Sequence, residues 1–334
     1  MGTGFSVAVF GAYGHTGRFV VAELRERGFG VVAVGRDEAK LRGLSRPDLE
    51  IRRASVDDPA SLDRAFADAD AVINAAGPFA DTAAPVVEAA LRAGIPYLDV
   101  AAEIEANIDT FAQFGDRAAG ATVIPAMAFF GGLGDLLVTA AMGDWTAADE
   151  AHIAYGLSSW HPTDGTRAAG KVSRERRNGK RIRFSGGRIE HREDALPALD
   201  WDFPAPFGTR AVLGEFTMAD VVTVPSHLAI PEVTTYMTVN AASEVVTPET
   251  PAPPADGPSS QTFVVDVVVR SGGEERRIVA QGRDIYAITA PLVVEAVQRV
   301  LDGRTKATGV VSAGKIFDAA DFLAALAPHV TVTG

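Results

Sequence analysis

Three glycines spaced three residues apart stand near the start of the chain, at Gly11, Gly14 and Gly17. An apolar run at residues 5–10 precedes them, and apolar residues at helical spacing follow. Glycine allows a sharp turn out of a strand, and a position without Cβ lets the backbone approach a diphosphate. The N-terminus of the following helix offers free N–H groups to the phosphates. A structural turn is the alternative, but strand, glycine turn and helix together predict dinucleotide binding.

A second apolar run, at residues 31–34, ends in Gly35-Arg36-Asp37. Enzymes that prefer NAD usually carry an acid at this strand end, where it holds the ribose 2′-hydroxyl. The guanidinium of Arg36 suits a 2′-phosphate instead, because its fork matches the phosphate oxygens. An ordinary surface arginine is the alternative, and Asp37 is predicted to cap the helix at residues 38–44. The predicted cofactor is therefore NADP(H).

Two more segments are expected to reach the same cofactor. Asp57 stands at the end of the third predicted strand, a poorer one at residues 50–55, where an adenine edge would lie, although capping of the next helix by Asp57 or Asp58 is the competing role. The fourth run, residues 70–74, ends in a turn of small residues that would let the backbone approach ribose and nicotinamide. The residues predicted to bind the cofactor are Gly11, Tyr13, Gly14, His15, Thr16, Gly17, Arg36, Asp57, Ala75, Ala76, Gly77 and Pro78.

Four side chains are candidates for the proton transfer that accompanies hydride transfer: Asp99, Glu103, Tyr155 and His161. The two carboxylates follow the fifth apolar run, at the end of a strand that faces the expected crevice. Glu103 has an alternative role at the start of the next helix. His161 belongs to a polar loop at residues 158–167 that could fold over the crevice, although a loop histidine is commonly solvated. The chain has no cysteine, which excludes thiolate catalysis, disulfides and cysteine-based zinc sites.

Four segments carry a resemblance to a known family: residues 11–17, 74–79 and 97–103, and the glycine-rich turn before Leu136. In this order they resemble the saccharopine dehydrogenase-like family of NAD(P)-dependent oxidoreductases. That family includes saccharopine reductases, lysine dehydrogenases, carboxynorspermidine dehydrogenases and trans-acting enoyl reductases. The resemblance covers the first 140 residues and extends to the C-terminal stretch 286–323, while the middle of the chain matches only loosely.

The resemblance implies a two-domain α/β protein. Its N-terminal domain is expected to be a Rossmann doubly wound parallel sheet, formed by residues 1–128 plus 286–334. The second, a substrate and dimerisation domain at residues 129–285, is expected to be α+β and built on a mostly antiparallel sheet. The family and a near-continuous row of β-branched residues at 262–270 also suggest a homodimer.

The elements that must position these residues follow from the apolar pattern. Strands and helices alternate through residue 125, as in a parallel sheet covered by helices. The middle of the chain is richer in β-branched runs and predicts strands there. Those strands are expected at residues 152–157, 221–224, 234–239 and 262–270, with a hairpin whose arms, 171–177 and 181–184, flank Asn178-Gly179.

Composition limits the partners of the protein. The net charge of −12 over 334 residues opposes general binding to nucleic acid. Residues 167–192 differ, with ten Arg or Lys and only Glu175 and Glu190 as acids. This basic stretch is either a solvated hairpin face or a docking site for an anionic partner, which would be a carrier protein, coenzyme A or a polycarboxylate. The expected substrate is therefore a small-molecule or acyl-carrier-type anion. Neither a signal peptide nor a membrane span is expected, and the composition favours a cytoplasmic protein.

The function expected from these observations is NADP(H)-dependent hydride transfer to or from a C=N or C=C bond. The substrate would be a small molecule or a group bound to a carrier. The alternative is a regulatory protein that senses NADP(H) without turnover, which a missing acid or base beside the nicotinamide would favour.

Overall fold

Strands and helices alternate in the first part of the chain. The computed structural model describes residues 3–44 and 49–334, so the predicted domain start at residue 1 lies outside the described residues. The elements are β1 (Ser6–Phe10), α1 (His15–Glu26), β2 (Gly30–Gly35), α2 (Glu38–Arg42), β3 (Glu50–Arg53), α3 (Pro59–Phe66), β4 (Ala71–Asn74), α4 (Phe79–Ala93), β5 (Tyr97–Asp99), α5 (Ile104–Phe114), β6 (Thr122–Ile124), a π-helical turn (Phe129–Leu133) and α6 (Gly134–Met142).

The rest of the chain is richer in strands and ends in short helices. The elements are β7 (Glu150–Leu157), α7 (Asp164–Arg176), β8 (Arg181–Ser185), β9 (Arg188–Arg192), β10 (Ala198–Asp202), β11 (Thr209–Gly214), α8 (Asp220–Thr223), a 3-10 turn (Val224–Ser226), β12 (Glu232–Thr238), α9 (Val239–Val246), β13 (Thr262–Ser271), β14 (Glu274–Arg283), α10 (Thr289–Leu301), β15 (Gly309–Val310), α11 (Ala313–Ile316), α12 (Ala319–Ala325) and β16 (Val330–Thr333).

The first sheet is parallel and has the strand order β15-β6-β5-β4-β1-β2-β3. Alternate residues of β1 enter two different apolar clusters: Val9 packs in the cluster that contains α1 and α10, and Phe10 in the one that contains α3 and α4. Helices therefore cover both faces, as the predicted doubly wound sheet requires. The order reverses between β1 and β4, which places the crevice at the carboxyl ends of these two strands.

The second sheet has the order β10-β11-β12-β7-β13-β14-β16, and the hairpin β8–β9 is attached to β12. Its neighbours are antiparallel except for the parallel pair β12–β7, which agrees with the predicted α+β class. The valines of β13 are covered from within the chain. Val265 shares a cluster with α6, whereas Val264 packs with Phe203 and Tyr236 on the opposite face.

The C-terminal segment serves both sheets. Strand β15 extends the first sheet beside β6, and α10 is tied to α1 by an Arg27–Glu295 ion pair of 2.6 Å. The final strand β16 pairs instead with β14 of the second sheet. The predicted division into 1–128 plus 286–334 and 129–285 stays a prediction, and Val330–Thr333 lies in the sheet of the other predicted domain.

The predicted hairpin around Asn178-Gly179 is wrong. Residues 171–176 belong to helix α7, and Arg177 is its C-cap. The N-cap of this helix is Thr163. Asn178 and Gly179 have φ of 52° and 73°, and the Gly179 N–H donates to the Arg174 carbonyl. A left-handed Asn-Gly pair suits a helix end as well as a tight hairpin turn. The hairpin lies further on, where Gly186-Gly187 joins β8 to β9.

The predicted strand at residues 221–224 is also wrong, because these residues form α8 and enter the 3-10 turn. A four-residue apolar run does not distinguish a buried strand from a buried helix. Pro225 lies in the first turn of the 3-10 helix, where its missing N–H costs nothing, but it would interrupt a central strand.

Candidate functional site

A cavity of about 1670 Å³ lies between the carboxyl ends of the first sheet and the elements α7, β11 and α9. It exceeds the roughly 300–1,000 Å³ of an ordinary small-molecule pocket, so it has room for a cofactor and a second ligand. Eleven of the twelve residues predicted to bind cofactor line it: Gly11, Tyr13, Gly14, His15, Thr16, Arg36, Asp57, Ala75, Ala76, Gly77 and Pro78.

The glycine loop has no room for side chains. A Cβ built at Gly17 would lie 2.2 Å from the Gly11 carbonyl oxygen, and one at Gly11 would lie 2.8 Å from the Cβ of Ala76. Gly17, the one predicted residue that does not line the cavity, thus acts by letting α1 pack on the loop. No side chain caps α1 at Gly14, so its first N–H groups can donate hydrogen bonds to an anion.

His15, the first residue of α1, lines the cavity with an unsatisfied ring nitrogen. Its Nε2 is buried and has no hydrogen-bond partner in the described part of the chain. Burial lowers the pKa of His15; Asp284 opposes this shift and Arg18 adds to it. A neutral imidazole with an unpaired nitrogen can bond to a ligand group at the loop.

Arg36 follows β2 and lines the cavity, and its guanidinium has no ion-pair partner within residues 3–44 and 49–334. Asp37 does not compete for this role, because it caps α2 by accepting from the Lys40 N–H at 3.1 Å, as predicted. Tyr13 lies against Gly35, the residue before Arg36: a Cβ at Gly35 would be 2.6 Å from the Tyr13 ring. A guanidinium without an ion-pair partner can bind an anionic ligand group such as a phosphate.

The two aspartates after β3 divide the roles that the sequence left open. Asp58 caps α3, since its Oδ1 accepts from the Ser61 N–H at 3.2 Å. Asp57 accepts from the Ser55 hydroxyl at 3.2 Å and lines the cavity. Capping therefore falls to Asp58, and Asp57 is left facing the predicted adenine position.

The turn at residues 75–78 is held by Asn74 from below. The buried amide Nδ2 of Asn74 donates to Thr82 Oγ1 and Tyr97 OH, both at 3.2 Å, and its Oδ1 accepts from the Ala76 N–H at 3.0 Å. With its amide bonded inside the protein, Asn74 fixes the turn rather than contacting a ligand.

Asp99 lies beneath the cavity and does not line it. Its Oδ2 accepts from Tyr97 OH at 2.8 Å, and its Oδ1 accepts from the N–H groups of Ala101 and Ala126. Burial raises the pKa of Asp99 to about 6. Both oxygens are engaged, so Asp99 joins three chain segments below the site and has no oxygen available for a substrate.

Glu103 is the carboxyl group that reaches the cavity. Its Oε2 accepts from the Phe79 N–H at 2.8 Å, whereas its buried Oε1 has no partner among the described residues. A Cβ built at Gly77 would lie 4.0 Å from that Oε1. Burial raises the pKa of Glu103 to about 7, and Asp99 adds to the shift. A positioned group that titrates near neutral pH can act as general acid and as general base.

Tyr155 and His161, the other two candidates, are not brought to the cavity. Tyr155 is fully buried; its hydroxyl donates to Asp220 at 2.8 Å and its ring packs against Phe129 and Phe130, behind the wall. His161 is half-buried and lies outside the lining residues. In the structure Glu103 is therefore the one predicted catalytic candidate that faces the cavity.

Sequence reasoning missed Tyr286, whose hydroxyl is bonded to Trp160 Nε1 at 3.1 Å and to Thr166 Oγ1 at 3.0 Å. Its ring packs edge-on against His15. Trp160 lies in the predicted polar loop, but the end of that loop prediction is wrong, because Thr166 belongs to the first turn of α7, which begins at Asp164. All three residues line the cavity. The sequence offers no local signal for Tyr286, because its partner Trp160 is 126 residues away.

The described residues contain neither a cluster of metal ligands nor a membrane-spanning helix. Within residues 3–44 and 49–334, no group of three or more His, Cys, Asp or Glu is arranged to hold a metal ion. Across the same ranges, no helix is both long and apolar enough to cross a membrane.

Comparison with known proteins identifies the first part of the chain. Residues 11–123 match the NAD(P)H-binding family, which indicates a nicotinamide cofactor for the cavity that they line. None of the curated proteins matches the chain. The apo, histidine-tagged saccharopine dehydrogenase (L-Glu forming) from Saccharomyces cerevisiae is similar over 99% of both chains, with a TM-score of 0.66 and 14% identity. The chain has the saccharopine dehydrogenase fold.

Other solved structures resemble parts of this saccharopine dehydrogenase fold. A triphenylmethane reductase from Citrobacter sp. is 23% identical over 51% of this chain and 65% of its own, with a TM-score of 0.33. A short-chain dehydrogenase/reductase from Veillonella parvula in complex with NADP is 19% identical over 29% and 48%, with a TM-score of 0.26. TM-scores this low do not indicate a common overall fold. The yeast saccharopine dehydrogenase and the match at residues 11–123 confirm the resemblance predicted from sequence at the level of the fold and the NAD(P)H-binding domain.

Proposed function

We propose that this chain is an NADP(H)-dependent oxidoreductase of the saccharopine dehydrogenase-like family. It transfers hydride to or from a C=N or C=C bond of a small-molecule or carrier-bound substrate. The observation that carries the proposal is Glu103: a buried carboxyl group with an unpaired Oε1 in the wall of the cavity that the glycine loop lines. A bound nicotinamide would supply the hydride, and the protein supplies binding, orientation and a proton.

The residues that would hold the cofactor either have hydrogen-bonding or charged groups without a protein partner, or have side chains small enough for the cofactor to approach the backbone. The N–H groups at the start of α1 would bind the diphosphate, and Arg36 would bind the 2′-phosphate. Asp57 would face the adenine, and the turn at 75–78 would allow close approach of ribose and nicotinamide.

Glu103 is proposed to exchange a proton with the substrate atom next to the carbon that gains or loses hydride. The Phe79 N–H fixes Oε2, so Oε1 carries the exchanged proton. In reduction the protonated acid donates, and in oxidation the carboxylate accepts. Asp99 acts as a positioning residue below the site, and Tyr155 and His161 have no part in this step.

A regulator that only senses NADP(H) would need no acid or base at the site. A buried carboxyl group with a pKa of about 7 destabilises the folded protein at higher pH, because its charged form is poorly solvated. Asp99 and Asp220 carry a similar cost without lining the cavity. Glu103 differs from them because it also presents an unpaired Oε1 to the cavity, and this placement favours turnover.

The test is oxidation of NADPH against a panel of imines, enones and acyl thioesters, with Glu103→Gln and Asp81→Asn compared. Asp81 lines the same cavity but is exposed, so its variant should keep turnover. Glu103→Gln should bind NADPH as the wild type does and lose roughly 10²- to 10⁴-fold in rate. Full activity in Glu103→Gln would remove Glu103 from the mechanism, and NADPH binding without turnover of the whole panel would favour the sensor.

We also propose that the protein forms a homodimer and resides in the cytoplasm, each on a single observation. The homodimer rests on the family resemblance, since β13 is covered within the chain. Sedimentation at twice the mass of 35.0 kDa would support it. Residence in the cytoplasm rests on composition, and localisation of a tagged protein tests it.

A further inference from the structure

The part of the cavity away from the glycine loop has a largely apolar wall. Ile182, Leu213, Phe216, Met218 and Val245 line it. Two polar side chains that interrupt this wall are bonded to the protein itself: Arg181 pairs with Glu215 at 2.6 Å, and the Thr217 hydroxyl donates to the Ile182 carbonyl. The buried Nε of Arg181 has no hydrogen-bond partner among the described residues. The rest of this wall offers mainly apolar contact surface.

An aromatic row connects this wall with the neighbourhood of the first sheet. The Trp160 ring lies between Phe130, at 5.2 Å between centroids, and Phe216, at 6.4 Å. All three rings line the cavity. The indole N–H of Trp160 is used by Tyr286, so this row presents apolar ring surface. Such a surface favours a hydrocarbon chain over a polar ligand.

Four cations of α7 and its C-cap lie on one helical face: Arg167, Lys171, Arg174 and Arg177 follow one another at intervals of three or four residues, and all four line the cavity. Two of them are occupied: Arg167 donates to the Thr247 and Thr250 carbonyls, and Arg177 is paired with Glu105 at 3.1 Å.

The other two cations are available. Lys171 is exposed, and its Nζ lies 3.9 Å from a carboxylate oxygen of Glu175, which is also exposed. An exposed ion pair at this distance contributes little stabilisation. The Arg174 guanidinium has no partner among the residues that the structure describes. In a chain with a net charge of −12, the unpaired Arg174 and the weakly paired Lys171 at the edge of the cavity attract an anionic group.

We propose that the substrate is an amphipathic anion: a hydrocarbon chain that lies along the wall from Trp160 to Phe216, with an anionic group beside Arg174 and Lys171. This inference rests on the proposed function, since it names the substrate class of the same site. The volume of about 1670 Å³ accommodates such a chain in addition to the cofactor.

The experiment is calorimetric binding to the full-length protein at saturating NADP⁺, with butyl, hexyl and octyl phosphate as probes. Burial of each methylene in the wall should tighten binding by about threefold, or roughly tenfold for each pair of carbons. Inorganic phosphate has the anionic group without the hydrocarbon chain, and octanol has the chain without the anionic group. Both should bind far more weakly than octyl phosphate. Affinity that is independent of chain length, or equal for octanol, would overturn the proposal.

Two matched pairs of variants locate the binding. Arg174→Gln should weaken octyl phosphate about tenfold, whereas Arg210→Gln, at an exposed arginine outside the cavity lining, should not. Val246→Glu introduces a charge into the cavity at a residue that is 64% exposed, and it should also weaken the probe. Val239→Glu, on the same helix but outside the lining, is its control. Equal effects within either pair would contradict the assignment.

Further probes separate the sources of the anion and the two proposals. Octanoate and an octanoyl thioester of phosphopantetheine compare a free acid with a carrier-type substrate, and either one binding with the same dependence on Arg174 supports the class. If NADP⁺ itself fails to bind, the proposed function fails. If NADP⁺ binds and no chain-length dependence is found, only the substrate class is wrong.

Discussion

Tyr286 packs edge-on against His15, with 5.2 Å between the ring centroids, while its hydroxyl is bonded to Trp160 and Thr166. His15 belongs to the loop assigned to the cofactor, and Trp160 belongs to the wall assigned to the substrate. One side chain from the returning C-terminal segment therefore joins the two halves of the cavity. We therefore expect the ordering of one half to favour the binding-competent arrangement of the other.

Tyr286→Phe should separate these two contacts. The ring remains against His15, so the affinity for NADPH should stay unchanged. The indole N–H of Trp160 loses its partner, which should cost about 1–3 kcal/mol of stability and raise the KM for substrate. Denaturant unfolding and steady-state kinetics measure both effects. Tyr236→Phe, which removes a hydroxyl bonded to His152 outside the cavity lining, is the control and should leave KM alone.

The pH profile should report Glu103. With a pKa of about 7, the acid is protonated below that pH. kcat/KM for reduction should therefore be level below about pH 7 and fall about tenfold per unit above it. Oxidation should show the opposite limb. Because the Asp81 carboxylate contributes to the raised pKa, Asp81→Asn should move the bend to lower pH. An unchanged bend in Glu103→Gln would assign it to another group.

Arg36→Ala should weaken NADPH binding by roughly ten- to a hundredfold and leave NADH binding almost unchanged, because only NADPH carries the extra phosphate. Fluorescence titration of both cofactors measures the difference. Arg53→Ala removes a neighbouring arginine that donates to the Arg36 carbonyl but does not line the cavity, and it should not discriminate. Equal losses for the two cofactors in Arg36→Ala would refute the NADP(H) assignment.

The same substitution should have opposite effects at two glycines. Gly17→Ala forces the Gly11 carbonyl to move, since the new Cβ would lie 2.2 Å from its oxygen. Stability and cofactor affinity should both fall. Gly170→Ala, in the interior of α7 with nothing within 4 Å of its Cβ position, should raise the free energy of unfolding by up to about 1 kcal/mol. A stable Gly17→Ala protein with normal NADPH affinity would contradict the packing described for the loop.

Stability itself should fall as pH rises from about 4 through 7. Burial raises the pKa of Asp220 to about 7, above its unfolded value of 3.8, so the folded protein binds more protons across this window. Asp99 and Glu103 act in the same direction. Asp220→Asn should therefore reduce the difference in melting temperature between about pH 5 and about pH 8. The exposed Asp200→Asn is the control, and an unaltered difference in Asp220→Asn would exclude this origin.

The cofactor side of the site was predictable because it depends on local backbone requirements. Gly11 and Gly17 are specified by the close approach of chain segments, and Arg36 follows directly from the end of β2. The two carboxylates after the fifth run looked equivalent in the sequence. The structure distinguishes the two by their hydrogen bonds. Asp99 points into the protein, where it accepts from Tyr97 and two N–H groups, whereas Glu103 has one oxygen without a partner at the cavity.

The substrate side was less predictable for the same physical reason. Its residues meet through tertiary contacts, as Tyr286 and Trp160 do, and no local pattern marks them. The sequence shows the basic stretch at residues 167–192, but Asn178-Gly179 fits both a helix end and a hairpin turn. The hairpin prediction therefore places the cations of residues 171–177 on a strand instead of on α7. Only as helix α7 do Lys171 and Arg174 fall on one face with their neighbours.

The pairing of β16 with β14 has a mechanical consequence. The chain passes from the first sheet to the second after β6, returns before α10, and passes over again before β16. Three connections at separate places restrict how far the two sheets can move relative to each other. We therefore expect the cavity between them to admit ligands with only small changes in the distance between α7 and the glycine loop.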